Sequence, residues 1–393
     1  MTSLPNISLT ARVDAVIDGA LAAERIVGAV VLVAQGGETL HARAAGFADR
    51  EAGVPMRANT IFRLASVSKP FTAAAAMALV AQGRLDLDGP VTDWLPDFAP
   101  TFEGRPACIT LRHLLSHGSG LGYGFLEPVD GPLHRAGVSD GMDRSGLTLA
   151  ENVRRIASVP LLFAPGTGFH YSVGMDVAGA AIAAATGRAL PEAMRDLVTL
   201  PLGVIDTGFA LTDPSRLAAA YADAVPRPHR MREPDRLPLV PGLAEEAMDP
   251  ARAVEAEAFP SGGAGMVGTA AAVLRLLDGL RQGGDPLMPP AFAAEMGRDQ
   301  IPDVAIGDSP GWGHGLGFAV LRDPLAAGVP HSPGTWCWGG AYGHSWFVDP
   351  ARSLTVVALT NTAFEGMANA GRFPADLARA VYAALGPSMQ EPA

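Results

Sequence analysis

Strand-like runs lie at both ends of this 393-residue sequence, and helical patches fill its middle. Near the start, apolar residues at helical spacing predict a helix over 8–24. Residues 29–34 (AVVLVA) then read as a buried strand, Gly36-Gly37 as a turn and 39–46 as a second strand. The chain therefore opens with a helix and a β-hairpin.

The second group of strands comes late in the chain. Strand-like runs recur at 315–321, 342–348 and 354–359, and a helix is predicted at 374–385. Between the two groups, the clearest helices are 68–82, 110–116 and 174–187, separated by loops rich in proline and glycine.

This order predicts an α/β fold in which the two chain ends build one sheet. We expect an α/β domain formed by residues 1–85 and 301–393. Residues 86–300 are expected to form an inserted, mostly helical domain.

Composition excludes several classes of protein. Hydrophobic residues make up 48% and charged residues 18%, so a large core is feasible. The net charge is −11 without a basic stripe, which disfavours nucleic-acid binding. No apolar stretch reaches the length of a membrane span. Met1–Leu9 lacks a basic region followed by an apolar one, so a secretory signal is absent or already removed, and we expect a cytoplasmic location.

Cysteines and histidines give no metal or disulfide pattern. Cys108 and Cys337 are too few for a disulfide framework, and we expect both to be buried and reduced. The nine histidines show no H-E-x-x-H or similar spacing, so no metal site is predicted.

Lysine occurs once in the chain, as Lys69, beside 28 arginines. Codon bias explains such a ratio, because arginine replaces lysine wherever only a positive charge is needed. A lysine can also lose its proton and act as a base, which arginine cannot do. The single lysine is therefore a candidate for chemistry.

Lys69 belongs to an S-x-x-K motif that begins at Ser66, at the start of the helix predicted over 68–82. Side chains three residues apart share a helix face, so the amine can reach the serine hydroxyl and activate it as a nucleophile. The alternative is a capping serine next to a solvated lysine.

Two further segments are candidates. Tyr171 lies between a Pro-Gly loop (APGTGFHYS) and a helix, where a tyrosine can relay protons; it can also be an ordinary packing residue. Residues 336–344 (WCWGGAYGH) contain glycines that permit close approach of a ligand, and backbone N–H groups that can form half of an oxyanion hole. The alternative is a glycine-rich loop with two core tryptophans.

A G-x-S-x-G pattern surrounds Ser139. A nucleophile elbow needs a strand before the serine and a helix after it. The flanking residues predict neither, so Ser139 is not expected to be the nucleophile.

Five blocks resemble one known family when they are taken together: LASVSKPFTA, ITLRHLLSHGSGLGYG, FAPGTGFHYS, PSGGAGMVGT and WGGAYGHSWFVDP. In this order, over residues 10–385, they resemble the family VIII carboxylesterases of the serine β-lactamase-like superfamily. The fold that this resemblance implies has an antiparallel sheet flanked by helices and a helical domain.

The resemblance also implies roles for individual residues. Ser66 matches the nucleophile, Lys69 its paired base and Tyr171 the tyrosine of the Y-x-N element. The oxyanion hole would consist of the backbone N–H groups of Ser66 and Ala341. Substrate-binding residues would be Tyr123, Trp338, Gly339 and Gly340, and no cofactor is implied.

Two departures from class C β-lactamases bear on the substrate. Val173 replaces the asparagine of Y-x-N, and Trp338 replaces the lysine that holds a substrate carboxylate. We therefore expect a carboxylesterase for short-chain neutral esters that works through a Ser66 acyl-enzyme, with acyl transfer to alcohols as a further outcome. The alternatives are a β-lactamase, an amide or peptide hydrolase, and a catalytically idle binding protein.

Overall fold

An eight-stranded antiparallel sheet, built from both ends of the chain, is the centre of the fold. The structure is a computed structural model that describes residues 8–307, 309–368 and 371–386. The sheet order is β4-β5-β6-β7-β8-β1-β2-β3. The strands are β1 (Gly28–Gln35), β2 (Glu38–Asp49), β3 (Val54–Pro55), β4 (Trp312–His314), β5 (Ala319–Leu321), β6 (Trp336–Gly340), β7 (His344–Asp349) and β8 (Leu354–Thr360).

Helices cover the sheet and form the segment between its two groups of strands. Those of eight or more residues are α1 (Leu9–Ala22), α2 (Ser68–Ala81), α3 (Leu149–Ala157), α4 (Gly174–Thr186), α5 (Ala270–Arg281), α6 (Pro290–Gly297) and α7 (Arg372–Leu385). Shorter helices span Leu111–Leu115, Pro132–Ala136, Leu190–Met194 and Pro324–Ala327. Short strands outside the sheet are Phe62–Arg63, Thr101–Phe102, Arg105–Pro106, Tyr221–Ala222, His229–Arg230, Asp235–Leu237, Glu246–Met248, Val267–Gly268 and Thr362–Ala363.

Strand β1 joins the two chain ends. It pairs with β2 on one side and with β8 on the other, where Val31 lies opposite Ala358. Its side chains alternate between two hydrophobic cores: Val30 and Leu32 face one, and Val31 and Val33 face the other. Burial on both faces explains why this strand is an unbroken apolar run.

The two cores lie on opposite faces of the sheet. Helices α1 and α7 pack together over one face through residues such as Ile17 and Leu377. Helices α2, α4 and α5 contribute to the larger core over the other face. An α/β fold with an antiparallel sheet flanked by helices is therefore confirmed.

Three features differ from the sequence-based expectations. The run 315–321 is not one strand, because residues 315–318 connect β4 to β5. Cys108 is exposed rather than buried, whereas Cys337 is buried as expected. Residues 336–340 form strand β6, which was not among the predicted strands, and the alternative of a glycine-rich loop is wrong for them.

The division into two domains stays a prediction. Helix α5 falls inside the segment 86–300 but packs on strands β1 and β8 of the sheet. The outer limits of the expected α/β domain, residues 1 and 393, and most of Met1–Leu9 lie outside the described residues. Among the described helices, none combines the length and apolar character needed to cross a membrane.

Candidate active site

Ser66 lies in a tight turn that leads into helix α2. The turn spans Ala65–Val67, and Ala65 has a φ of 45°, a left-handed conformation that is uncommon for a residue with a side chain. The strand Phe62–Arg63 just before it pairs with Val267–Gly268. This pairing fixes the entrance to the turn and leaves Ser66 half-buried at the N-terminal end of α2. Such local strain is typical of functional positions.

The amine of Lys69 reaches Ser66 from one helical turn further along. Nζ lies 3.0 Å from Ser66 Oγ and donates a second hydrogen bond of 2.9 Å to the carbonyl oxygen of Gly263. Lys69 is fully buried, and its Nζ lies over the rings of Tyr123 and Tyr171 at 5.3 and 4.7 Å from their centroids. The alternative of a solvated lysine beside a capping serine is therefore wrong.

Tyr171 completes the arrangement from the loop before α4. Its hydroxyl lies 2.6 Å from Ser66 Oγ. Behind it, the ring of His117 packs at 4.8 Å between centroids, and the Nδ1 atom of His117 accepts the backbone N–H of Ser172 at 3.2 Å. This contact ties the loop on which Tyr171 sits to the loop after helix Leu111–Leu115.

Strand β6 approaches the same point from the sheet. A Cβ atom on Gly340 would lie 2.5 Å from the carbonyl oxygen of Leu64, so only glycine allows the strand to pack this closely against the turn before Ser66. This close approach brings Ala341, the residue after β6, to the cavity that Ser66 lines. Trp338 stands in the same wall, with its ring 5.3 Å from that of Tyr171.

Buried ionisable groups surround the three side chains. Burial lowers the pKa of His117 well below its usual value and that of His314 to about 4, so both rings are neutral near pH 7. Burial also raises the pKa of Asp176, whose carboxylate accepts the N–H of Gly263 at 3.3 Å. Since the carbonyl of Gly263 accepts from Lys69, Asp176 helps to hold this residue in position through the N–H on its other side.

A cavity of about 250 Å³ opens onto Ser66. Its wall is mostly aromatic and aliphatic, as in small-molecule sites, with few polar groups. The lining residues are Ser66, Tyr123, Phe125, Asp140, Met142, Tyr171, Leu239, Glu246, Ala264, Trp338, Gly339, Ala341, Met367 and Ala368.

The structure thus brings together most of the residues singled out in the sequence. Gly340 is the exception. It is not among the described residues that line the cavity, and it packs against the backbone of Leu64 instead. Ser139 lies in neither a strand nor a helix, and its hydroxyl donates to Asp143.

Sequence reasoning missed several residues around the site. His117 and Gly263 lie within blocks that carried the family resemblance, so their position in those blocks was an available signal. Asp140 lies inside the G-x-S-x-G pattern, where only the serine drew attention. Glu246 had no signal at all, because only the fold brings its strand to the cavity. Among the described residues, no group of three or more His, Cys, Asp or Glu side chains is arranged to hold a metal ion.

Comparison with known proteins identifies the family and the fold of the chain. The family model described as Beta-lactamase matches residues 13–380. Esterase EstB of Burkholderia gladioli is 51% identical over 97% of both chains. The solved structure of EstCE1, described as a hydrolase with promiscuous acyltransferase activity, has a TM-score of 0.92 and 46% identity over 97% of this chain and 100% of its own. Unliganded simvastatin synthase (LovD) of Aspergillus terreus, at 22% identity, has a TM-score of 0.73 over 96% of this chain and 98% of its own, a similarity of fold.

The chain belongs to the beta-lactamase family. Within that family it is a serine hydrolase of the esterase group, and the resemblance to family VIII carboxylesterases is confirmed.

Proposed function

We propose that the protein hydrolyses short-chain carboxylic esters with an uncharged acyl group, through an acyl-enzyme on Ser66. The observation that carries this proposal is the position of Ser66 Oγ, 3.0 Å from Lys69 Nζ and 2.6 Å from the hydroxyl of Tyr171. A serine hydroxyl becomes a nucleophile when a base within hydrogen-bond distance takes its proton, and here two candidates are in place.

Lys69 is the base in this mechanism. A neutral amine has two N–H bonds and one lone pair, so it donates to the carbonyl of Gly263 while its lone pair receives the proton of Ser66. Complete burial keeps water from competing for that lone pair. Tyr171, whose hydroxyl contacts the same oxygen, gives its own proton to the leaving alcohol and recovers the proton that Lys69 took from Ser66.

The negative charge that develops on the carbonyl oxygen needs hydrogen-bond donors. We assign this task to the backbone N–H groups of Ser66 and Ala341, which belong to two residues that line one cavity. The N-terminal end of α2 adds a favourable dipole. Water then attacks the acyl-enzyme and releases the acid.

An alcohol can take the place of water in the last step. The relative EstCE1 is described as having promiscuous acyltransferase activity, and a second relative, a monacolin J acid methylbutanoyltransferase of Aspergillus terreus, is 32% identical over 44% of both chains. Acyl transfer to small alcohols is therefore part of the proposal.

Trp338 sets the preference for neutral acyl groups, together with Tyr123 and Gly339 in the cavity wall. An indole offers an apolar face and no charge, so an anionic substrate loses hydration without gaining a partner. A β-lactamase or peptidase activity is the rival assignment. The cytoplasmic location expected from the sequence also belongs to this proposal, and cell fractionation tests it.

The experiment is a series of p-nitrophenyl esters of increasing acyl length, measured beside nitrocefin and penicillin G. We expect fast turnover of short esters and labelling of Ser66 by a fluorophosphonate probe, located by peptide mass spectrometry. Faster turnover of the β-lactams than of every ester would favour the rival. An unlabelled Ser66 with no ester turnover would favour an idle binding protein.

A further inference from the structure

Two carboxyl groups stand in the wall of the cavity that Ser66 lines. Asp140 precedes the short segment that leads to helix α3, and Glu246 begins the strand Glu246–Met248. Neither side chain forms an ion pair with a lysine, arginine or histidine in the part of the chain that the structure describes. The mechanism proposed above uses neither of them.

Asp140 is held firmly in place. Its Oδ1 atom accepts the backbone N–H of Gly124 at 2.9 Å, and its Oδ2 atom accepts that of Phe125 at 3.1 Å. These bonds favour the carboxylate, but burial outweighs them and raises the pKa of Asp140 to about 7, with the negative charge of Asp143 acting in the same direction.

Glu246 has no such support. It is only 3% exposed, and its buried Oε2 atom has no hydrogen-bond partner among the described residues. Native proteins leave few buried polar atoms unpaired, so this atom needs an explanation. Burial, followed by the negative charge of Asp140, raises the pKa of Glu246 well above its usual value. Asp143 adds a further negative charge nearby.

Little positive charge is available to the two carboxyl groups. The nearby amine of Lys69 is hydrogen-bonded to Ser66 and Gly263 instead. His134, near Asp140, is hydrogen-bonded to Glu127. A ligand that brings its own positive charge would supply the missing partner.

The remaining wall suits such a ligand as well. The rings of Tyr123 and Phe125 are stacked at 4.8 Å, and those of Tyr171 and Trp338 lie 5.3 Å apart. All four line the cavity. Aromatic faces attract ammonium groups through their quadrupole, and they do so most strongly where water is excluded.

We propose that Asp140 and Glu246 select esters that carry a positively charged amino group in the acyl or the alcohol part. This inference rests on the proposed function, because the ester carbonyl must still reach Ser66. It extends the uncharged acyl groups of the proposed function to substrates whose ammonium group faces the two carboxyl groups, while the region near Trp338 still excludes anionic groups. The cavity of about 250 Å³ limits such substrates to small ones.

Matched pairs of esters test the inference. On the alcohol side, acetylcholine is compared with 3,3-dimethylbutyl acetate, in which carbon replaces nitrogen. On the acyl side, the p-nitrophenyl ester of 4-(trimethylammonio)butyrate is compared with that of 5,5-dimethylhexanoate. We expect kcat/KM to favour the cationic member of at least one pair by about 10-fold or more, as for a partly buried charge pair.

The variants Glu246→Gln and Asp140→Asn should each lower that cationic-to-neutral ratio by about 10-fold. Glu245→Gln is the matched control, because Glu245 is the exposed neighbour of Glu246 and does not line the cavity. Glu246→Gln is nearly isosteric, so we expect it to fold. It therefore provides a variant to test even if Asp140→Asn unfolds because it loses the hydrogen bonds to the backbone of Gly124 and Phe125. Circular dichroism and thermal melting check the fold.

Binding of tetramethylammonium chloride, measured by calorimetry, provides a readout that needs no turnover. We expect wild type and Glu245→Gln to bind it about 10-fold more tightly than Glu246→Gln. The inference is overturned if neither ester pair favours the cation, or if the preference and the binding survive in both cavity variants. If no ester were turned over, only the proposed function would be contradicted. Calorimetry would still test whether Asp140 and Glu246 bind a cation.

Discussion

Replacing Tyr171 with phenylalanine removes one oxygen atom and keeps the ring. The lost contact is the 2.6 Å hydrogen bond to Ser66 Oγ, while the packing of the ring against His117 and Trp338 is retained. A well-placed proton relay contributes about 10²- to 10⁴-fold to the rate. At about 1.4 kcal/mol for each factor of ten, we expect Tyr171→Phe to raise the activation free energy by about 3–5 kcal/mol.

Stability should change far less. A typical hydrogen bond contributes about 1 kcal/mol net to folding. Tyr221→Phe is the control, because the hydroxyl of Tyr221 accepts the backbone N–H of Arg50 at 2.8 Å and donates to Glu51, outside the cavity. It should cost a similar amount of stability and leave turnover of p-nitrophenyl butyrate close to that of wild type.

The assay is kcat and KM for p-nitrophenyl butyrate in all three proteins, together with urea unfolding. A relay acts in the transition state, so kcat should fall in Tyr171→Phe while KM changes little. A rate within threefold of wild type, or an equal loss in Tyr221→Phe, would refute the assignment of Tyr171 as the relay.

Four further results are expected. Ser66→Ala should lower kcat by about 10⁶-fold and Ser139→Ala by little; the reverse order would contradict the choice of nucleophile. Lys69→Met should fold, as a fully buried apolar replacement, yet lose at least about 10³-fold in kcat; near-native turnover would exclude Lys69 as the base. Wild type should favour p-nitrophenyl butyrate over penicillin G in kcat/KM by about 10³-fold or more, and Trp338→Lys alone should not reverse this order. The free energy of unfolding should fall as the pH drops from about 6.5 towards 4. Burial lowers the pKa of His314, His331 and His344 to about 4, so the unfolded chain binds these protons first. Each residue contributes a loss of about 2 kcal/mol between pH 7 and pH 5. Urea unfolding at the two pH values measures the loss, and equal stability would contradict it.

Local sequence already predicted the serine and lysine of the site. Their spacing on a helix is a property of three consecutive peptide units, and the structure keeps it as a 3.0 Å contact. The unbroken apolar run that marks β1 and the alanine-rich stretch that marks α2 are likewise short-range patterns, and both elements form where expected. Short-range geometry is what a sequence encodes most directly.

The contact between Ser66 and Tyr171 is of a different kind, since 105 residues separate the two. Sequence marked Tyr171 by its place in a loop and by resemblance, but only the packing of α2 against α4 brings its hydroxyl to the serine. The approach of Gly340 to Leu64 and of Gly263 to Lys69 arises in the same way.

The sequence by itself determined that the chain ends share a sheet, that Ser66 and Lys69 meet, and that a tryptophan stands where related enzymes have a cation. Each of these follows from periodicity, from helical spacing or from comparison of short blocks. The tertiary structure alone decided what else lines the cavity. Asp140 and Glu246 are 106 positions apart and lie in no common pattern, so their meeting depends on how the middle segment folds over the sheet. Burial then raises the pKa of both carboxyl groups. The residue type alone does not predict this shift, because it depends on the water that the fold excludes.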